Sequence, residues 1–303
     1  MQKHVLMSLA TFAILAGCAS PDTSPTSPAA TPSFTYELAV PGNAGDTPAR
    51  VYLSRDVGHA GKPGGTPSPL LWHNGAVMNN AAVTAIFWGA SWSSASYQGD
   101  KISGLTTFYG GLNNSSYMGT NTEYTGSGST QFTGNVSFAG SVIDPSLGPT
   151  RAPKVSEVEA EVCKAITDPK ANGYYPVYTD LPRGHTGYCA WHSYGTCKGV
   201  PVQFAFFFDL DGDPGCDPES PYSQSQGLAA LANVSGHEIS EAVTDPRNGG
   251  WWDSSGAENA DKCAWTFGSA VKIGNQSWKI QGNFSNAAAK AGLGYDNKGC
   301  IDQ

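Results

Sequence analysis

Ser235-Gly236-His237-Glu238-Ile239-Ser240-Glu241-Ala242-Val243-Thr244-Asp245-Pro246 is the stretch around which the rest of this chain has to be arranged. On a helix, His237 and Glu241 stand four residues apart and stack on one face. An imidazole and a carboxylate so placed can grip one metal ion, with Glu238 at the edge of the site. The pattern is the zinc-protease helix H-E-x-x-H with its second histidine replaced by glutamate. Two readings compete. One is a variant metallohydrolase site, the other a polar helix with acids on a solvated face.

The neighbouring residues frame that choice. Leu228, Leu231, Ser235, Ile239, Ala242 and Val243 form the inner stripe of a helix running from about Gln226 to Thr244. His237, Glu238 and Glu241 then lie on or beside the other face, as cleft-lining residues would. Pro246 closes the helix, because a residue before proline is pushed out of the helical region. A catalytic zinc takes three protein ligands and keeps one position open. The third ligand can be Glu258 or Asp261, and Asp261 lies 20 residues beyond Glu241. Glu238 is then the general base, taking a proton from water that the metal makes more acidic. Tyr188, His192 or Tyr194, on a neighbouring strand, can stabilise an oxyanion or hold substrate. One histidine with two carboxylates makes a hard, anionic shell, suited to zinc but also to calcium or manganese.

Upstream, Val200 to Phe208 is a very apolar strand, and Ala82 to Gly89 reads as a strand buried on both faces. Asp209, Asp211 and Asp213 alternate after the first of these. They form either the start of a calcium loop lacking its terminal glutamate or an acidic turn at a strand end. Lys101 to Leu112 and Val155 to Ile166 carry helical apolar spacing. Asn113 to Gly140 reads as loop and short strand, and His73 beside Asn74-Gly75 as a turn residue. Phe34 to Leu53 suggests an N-terminal hairpin, and Val271 to Phe284 a hairpin turning at Gly274-Asn275. Strand, helix, strands and then the metal-type helix is the element order of a zincin catalytic domain. The expectation is therefore α+β and zincin-like: a twisted mixed sheet on the metal-motif helix, an edge strand presenting substrate, and long Gly/Ser-rich loops.

The N-terminus describes an address. Residues 1–17 read as a signal peptide too short to span a bilayer, ending in Leu15-Ala16-Gly17-Cys18, a lipobox-like sequence with Cys18 as the lipidation site. Residues 18–33 are rich in Ser, Pro and Thr and read as a tether, leaving 34–303 as one domain. A membrane partner is expected through Cys18, and a place in the cell envelope. The net charge of −8 without a basic cluster argues against nucleic acid. Six further cysteines suggest disulfides, with Cys263–Cys300 and Cys189–Cys197 as the expected pairs. No G-x-S-x-G elbow is present, which argues against a serine hydrolase.

Four ordered blocks carry a family resemblance. These are His73-Asn74-Gly75 before Ala85-Ile86-Phe87-Trp88-Gly89, then Tyr188 to Tyr194, then Gly236 to Pro246, then Glu258-Asn259-Ala260-Asp261-Lys262-Cys263. Together they resemble the EXORDIUM / phosphate-induced protein 1 family, over about Trp72 to Cys263. The resemblance implies export and a common fold, and supplies no activity. Two functions follow as expectations. One is a lipid-anchored metal-dependent hydrolase acting on peptide or cell-wall polymer. The other is a non-catalytic envelope protein that binds glycan or protein through exposed aromatics.

Overall fold

The apolar runs expected as buried strands form the centre of one sheet in the computed structural model, which describes residues 46–57 and 68–303. The signal peptide, Cys18, the tether and the first part of the N-terminal hairpin lie outside the described residues.

In chain order, β1 (Tyr52–Leu53) and β2 (Leu71–Trp72) precede β3 (Ala81–Trp88), α1 (Ala95–Gln98), α2 (Lys101–Gly111) and α3 (Ser116–Gly119). Then come β4 (Val136–Asp144), α4 (Val155–Ala165), β5 (Gly173–Pro182), β6 (Tyr188–Cys197) and β7 (Val200–Asp209). The C-terminal part holds α5 (Gln226–Thr244), β8 (Trp251–Trp252), β9 (Val271–Ile273), β10 (Gln276–Trp278), β11 (Asn283–Phe284), α6 (Asn286–Ala291) and β12 (Cys300–Ile301).

Six strands make a mixed sheet in the order β1-β6-β7-β5-β3-β4. Strands β4, β3, β5 and β7 run parallel, and β6 pairs antiparallel with β7 from Ala190↔Phe207 to Cys197↔Val200. The step from β3 to β4 and the step from β4 to β5 run in opposite directions across the sheet. Right-handed crossovers therefore put α2 and α4 on opposite faces. α2 packs against α5, and α4 packs against β5, β6 and β7. This explains why β5 and β7 are apolar nearly throughout: both of their faces are covered. The result is the expected α+β, zincin-like arrangement, with an antiparallel strand beside the motif helix. Its outer side differs from the expectation, because β1 pairs along it through Tyr52↔Ala190 and Leu53↔Tyr188. β1 thus joins a distant strand, and its described part is not in a hairpin.

The β9–β10 hairpin turns as expected, with Gly274 at φ +58 in the two-residue turn. β4 was not read as a nine-residue strand, because its small residues (Ala139, Gly140, Ser141) blur the alternation of an edge strand. Three disulfides join Cys163–Cys197, Cys189–Cys216 and Cys263–Cys300. The expected Cys189–Cys197 pair is corrected. Both residues sit on β6, eight residues and about 27 Å apart along an extended strand, so no bridge can close between them. Such bonds belong to oxidising compartments, and no helix among the described residues is long and apolar enough to cross a membrane.

Candidate metal centre

Helix α5 begins where Ser225 accepts from the Leu228 backbone N–H, and its C-cap Asp245 accepts from the Gly250 backbone N–H at 2.6 Å. Every residue from Gly227 to Thr244 is buried, so the helix has no solvated face. The sheet takes one side, where Tyr178 on β5 bonds Ser235 at 2.7 Å. The C-terminal loops cover the other. The expected cleft-lining face is therefore a second, polar core, and the reading of a solvated polar helix fails with it.

Three segments deliver side chains into that core. From α5 come His237, Glu238 and Glu241; from β6 comes His192; from the loop after β8 come Glu258 and Asp261. Exposure is 0% for His237, 1% for Glu238, 2% for Glu241, 0% for Glu258 and 7% for His192. The Asp261 side chain is the most open, at 23%. His237 Nε2 lies 3.0 Å from Glu241 Oε1 and 3.6 Å from Asp261 Oδ1. His192 Nδ1 lies 3.2 Å from Glu238 Oε2 and 3.4 Å from Glu241 Oε2, with its Nε2 3.8 Å from Glu258 Oε2. Backbone donors fix the loop: Asp261 N–H donates to Glu241 Oε1, and Glu258 N–H to Asp261 Oδ2, each at 3.0 Å.

Two groupings of donors fit a metal ion, His192–Glu241–Glu258 and His237–Glu238–Glu241. Each distance above is close to the spacing of about 3.3 Å between donors 2.0–2.1 Å from a tetrahedral ion. Both Glu258 oxygens, Glu238 Oε1 and His237 Nε2 are buried without a hydrogen-bond partner. Buried polar atoms are nearly always partnered, so four such atoms in one cluster form a donor set that a cation would satisfy. The residues fit one.

Arg50, which the sequence reading did not single out, caps the cluster. It donates to Gly256 O at 2.7 Å and Asp245 Oδ2 at 3.0 Å, and lies 3.4 Å from Glu258 Oε2. Two positions along, the Tyr52 ring stacks on His237 with centroids 4.0 Å apart. Gln281 closes the back. It accepts from the Tyr52 hydroxyl at 2.6 Å, donates to Ala260 O at 2.8 Å, and faces His237 Nδ1 at 3.1 Å. With that amide assignment Nδ1 accepts and Nε2 carries the proton. A cation at Nε2 reverses this, so loading it requires the Gln281 amide to give up its present orientation.

Protons hold the acids together in the cation-free cluster. Burial opposes charge on His237, yet Glu241 and its neighbours raise it to about 9. Against the same burial, Glu258, Glu238 and Glu241 hold His192 well above its ordinary value. Burial drives Glu258 well above the carboxylate range despite Arg50, and raises Asp261 together with the charge of Glu241. Glu241 goes down, its burial outweighed by His237 and His192.

Other expected residues lie elsewhere. Tyr188 packs its ring on Phe208, and Tyr194 is 41% exposed; neither joins the hydrogen bonds or ion pairs of the cluster. His73 stacks on Trp252 with centroids 3.2 Å apart. The calcium expectation at Asp209, Asp211 and Asp213 is corrected. Lys101 takes Asp211 and lies 3.9 Å from Asp209, while Arg183 takes Asp213 at 2.6 Å. Lys101 and Arg183 already engage these carboxylates, and neither metal-compatible grouping among the described residues includes them.

No family model matches the chain, and no curated protein or solved structure matches it.

Proposed function

We propose that this chain is an exported, lipid-anchored metal-dependent hydrolase of the peptidase type, related to the EXORDIUM / phosphate-induced protein 1 proteins. The observation that carries this reading is the burial of His237, Glu241, Glu258 and His192 with unpartnered donor atoms converging. His237, Glu241 and Asp261 would hold a divalent cation such as zinc, with Glu258 and His192 beside it. When bound, the cation polarises a substrate carbonyl and makes water a better proton donor. Glu238 is the base: burial raises its pKa, which makes its carboxylate a stronger proton acceptor. His192, 3.2 Å away, keeps the Glu238 carboxylate oriented. The substrate is a peptide or a cell-wall polymer, reached once the Arg50–Tyr52 segment moves aside.

One observation favours the alternative, a non-catalytic envelope protein. The two described surface depressions, lined by residues such as Tyr222 and Lys279 or Arg55 and Pro214, do not include the cluster. Leu71 and Trp72 stand exposed on the β2–β8 ribbon as a glycan-contacting surface. Assaying the metal-loaded protein against peptides and peptidoglycan, beside Glu238→Gln, separates the two. Hydrolysis should fall about 10²–10⁴-fold in the variant at unchanged metal content. Equal rates in both proteins would reject the base. Glycan binding that survives chelation, with no turnover, would establish the alternative.

A further inference from the structure

The cluster contains more donors than one ion can use. Neither metal-compatible grouping contains both imidazoles, and Glu241 is the one residue common to both. Its two oxygens face opposite ways: Oε1 lies 3.0 Å from His237 Nε2, and Oε2 lies 3.4 Å from His192 Nδ1. We propose that the cluster binds two divalent cations bridged by the Glu241 carboxylate, one on the His237 side and one on the His192 side.

Three features support two ions over one, all resting on the metal reading above. The first is the distribution of unpartnered atoms. His237 Nε2 lies on one side of Glu241, the two Glu258 oxygens group with His192 on the other, and Glu238 Oε1 belongs with the first set. An ion beside His237 leaves both Glu258 oxygens without a hydrogen bond, with Arg50 3.4 Å from one of them, and an ion beside His192 leaves His237 Nε2 facing only the carboxylates of Glu241 and Asp261. Such orphaned groups are costly in a low-dielectric interior. The second is charge. Glu238, Glu241, Asp245, Glu258 and Asp261 are five carboxyl groups, and Arg50 is the one guanidinium that pairs with them. Two divalent cations and Arg50 neutralise five carboxylates with both imidazoles neutral, the form in which histidine binds metal. A single divalent cation with Arg50 matches three of the five, and the other two then need protons or a charged imidazole. The third is reach. Donors about 2.0–2.2 Å from one ion cannot lie more than about 4.4 Å apart, and neither set of donors lying within 4.8 Å of one another holds both His192 and His237. The imidazole and carboxylate donors suit zinc or manganese better than calcium.

The test is metal stoichiometry on the full exported chain, stripped with chelator and reloaded with excess Zn²⁺ or Mn²⁺. Two ions per folded chain are expected, and the Mn²⁺ form should give the electron paramagnetic resonance spectrum of a spin-coupled pair. Glu258→Gln and His192→Ala should each lower the count from two to one. If those variants fail to fold, the wild-type count and spectrum still decide. One ion at saturation overturns the bridged pair and leaves the metal-dependent reading standing. Two ions without spin coupling overturn the bridge. No bound ion overturns both.

Discussion

Glu258→Gln separates a ligand from a buried structural acid, because its effect should depend on whether a cation is present. In chelator, burial pushes the Glu258 carboxyl toward its neutral form, and glutamine has nearly the size and polarity of that form. The substitution should then change stability by less than about 1 kcal/mol, the scale of one hydrogen bond. With zinc at 100 times its dissociation constant, the wild type gains about 2.7 kcal/mol by mass action. A variant that binds 100-fold more weakly gains about 0.4 kcal/mol at the same concentration. The difference of about 2.3 kcal/mol separates their melting midpoints by about 5–9 °C in a domain of this size. The assay is thermal unfolding by circular dichroism, each protein with chelator and across a zinc titration. Equal zinc-dependent rises in both proteins would refute Glu258 as a ligand. No rise in the wild type would refute the metal site.

Arg50→Met removes the guanidinium from Asp245 and Glu258; chemical denaturation in chelator should show a loss of about 3–5 kcal/mol, chiefly from Asp245 left buried without its cation. Burial pushes Glu161 up to about 7 despite Lys164, so the folded protein holds a proton there that the unfolded chain releases near 4.5. That preference stabilises the fold at low pH and is lost as pH rises from 4.5 to 7. Glu161→Gln should flatten this slope, changing denaturation midpoints by at most about 3 kcal/mol across the window. Gly250→Ala places a Cβ 2.1 Å from the Thr244 carbonyl oxygen and 2.7 Å from Asp245 Cα, both backbone atoms at the end of α5. It should cost about 1–3 kcal/mol or more in thermal unfolding and weaken cation binding by displacing that turn.

What the sequence disclosed was whatever leaves a local mark. α5 carried a terminating proline and a periodic stripe, and β7 was one apolar run between turns. Asp261 and Glu258 could be proposed because the motif helix has a familiar partner distance downstream. Arg50 could not, since it meets Gly256 across 206 residues and nothing near it in the chain signals that contact. His192 was noticed as a polar group on a neighbouring strand, but only the antiparallel β6–β7 register turns it toward Glu241. The burial of α5 was also hidden. A helix carrying His237, Glu238 and Glu241 reads as amphipathic until loops from far downstream cover its polar side. The Cys189 pairing failed for a related reason: without knowing that β6 is one continuous strand, two nearby cysteines looked like neighbours.

The enclosure of the donors bears on which ion the protein carries. With Tyr52 stacked on His237 and Arg50 across the acids, an ion inside can exchange only as fast as this segment opens locally. An ion held there would leave no faster than that segment opens, so samples loaded with different ions would keep their difference until repeated opening had exchanged them.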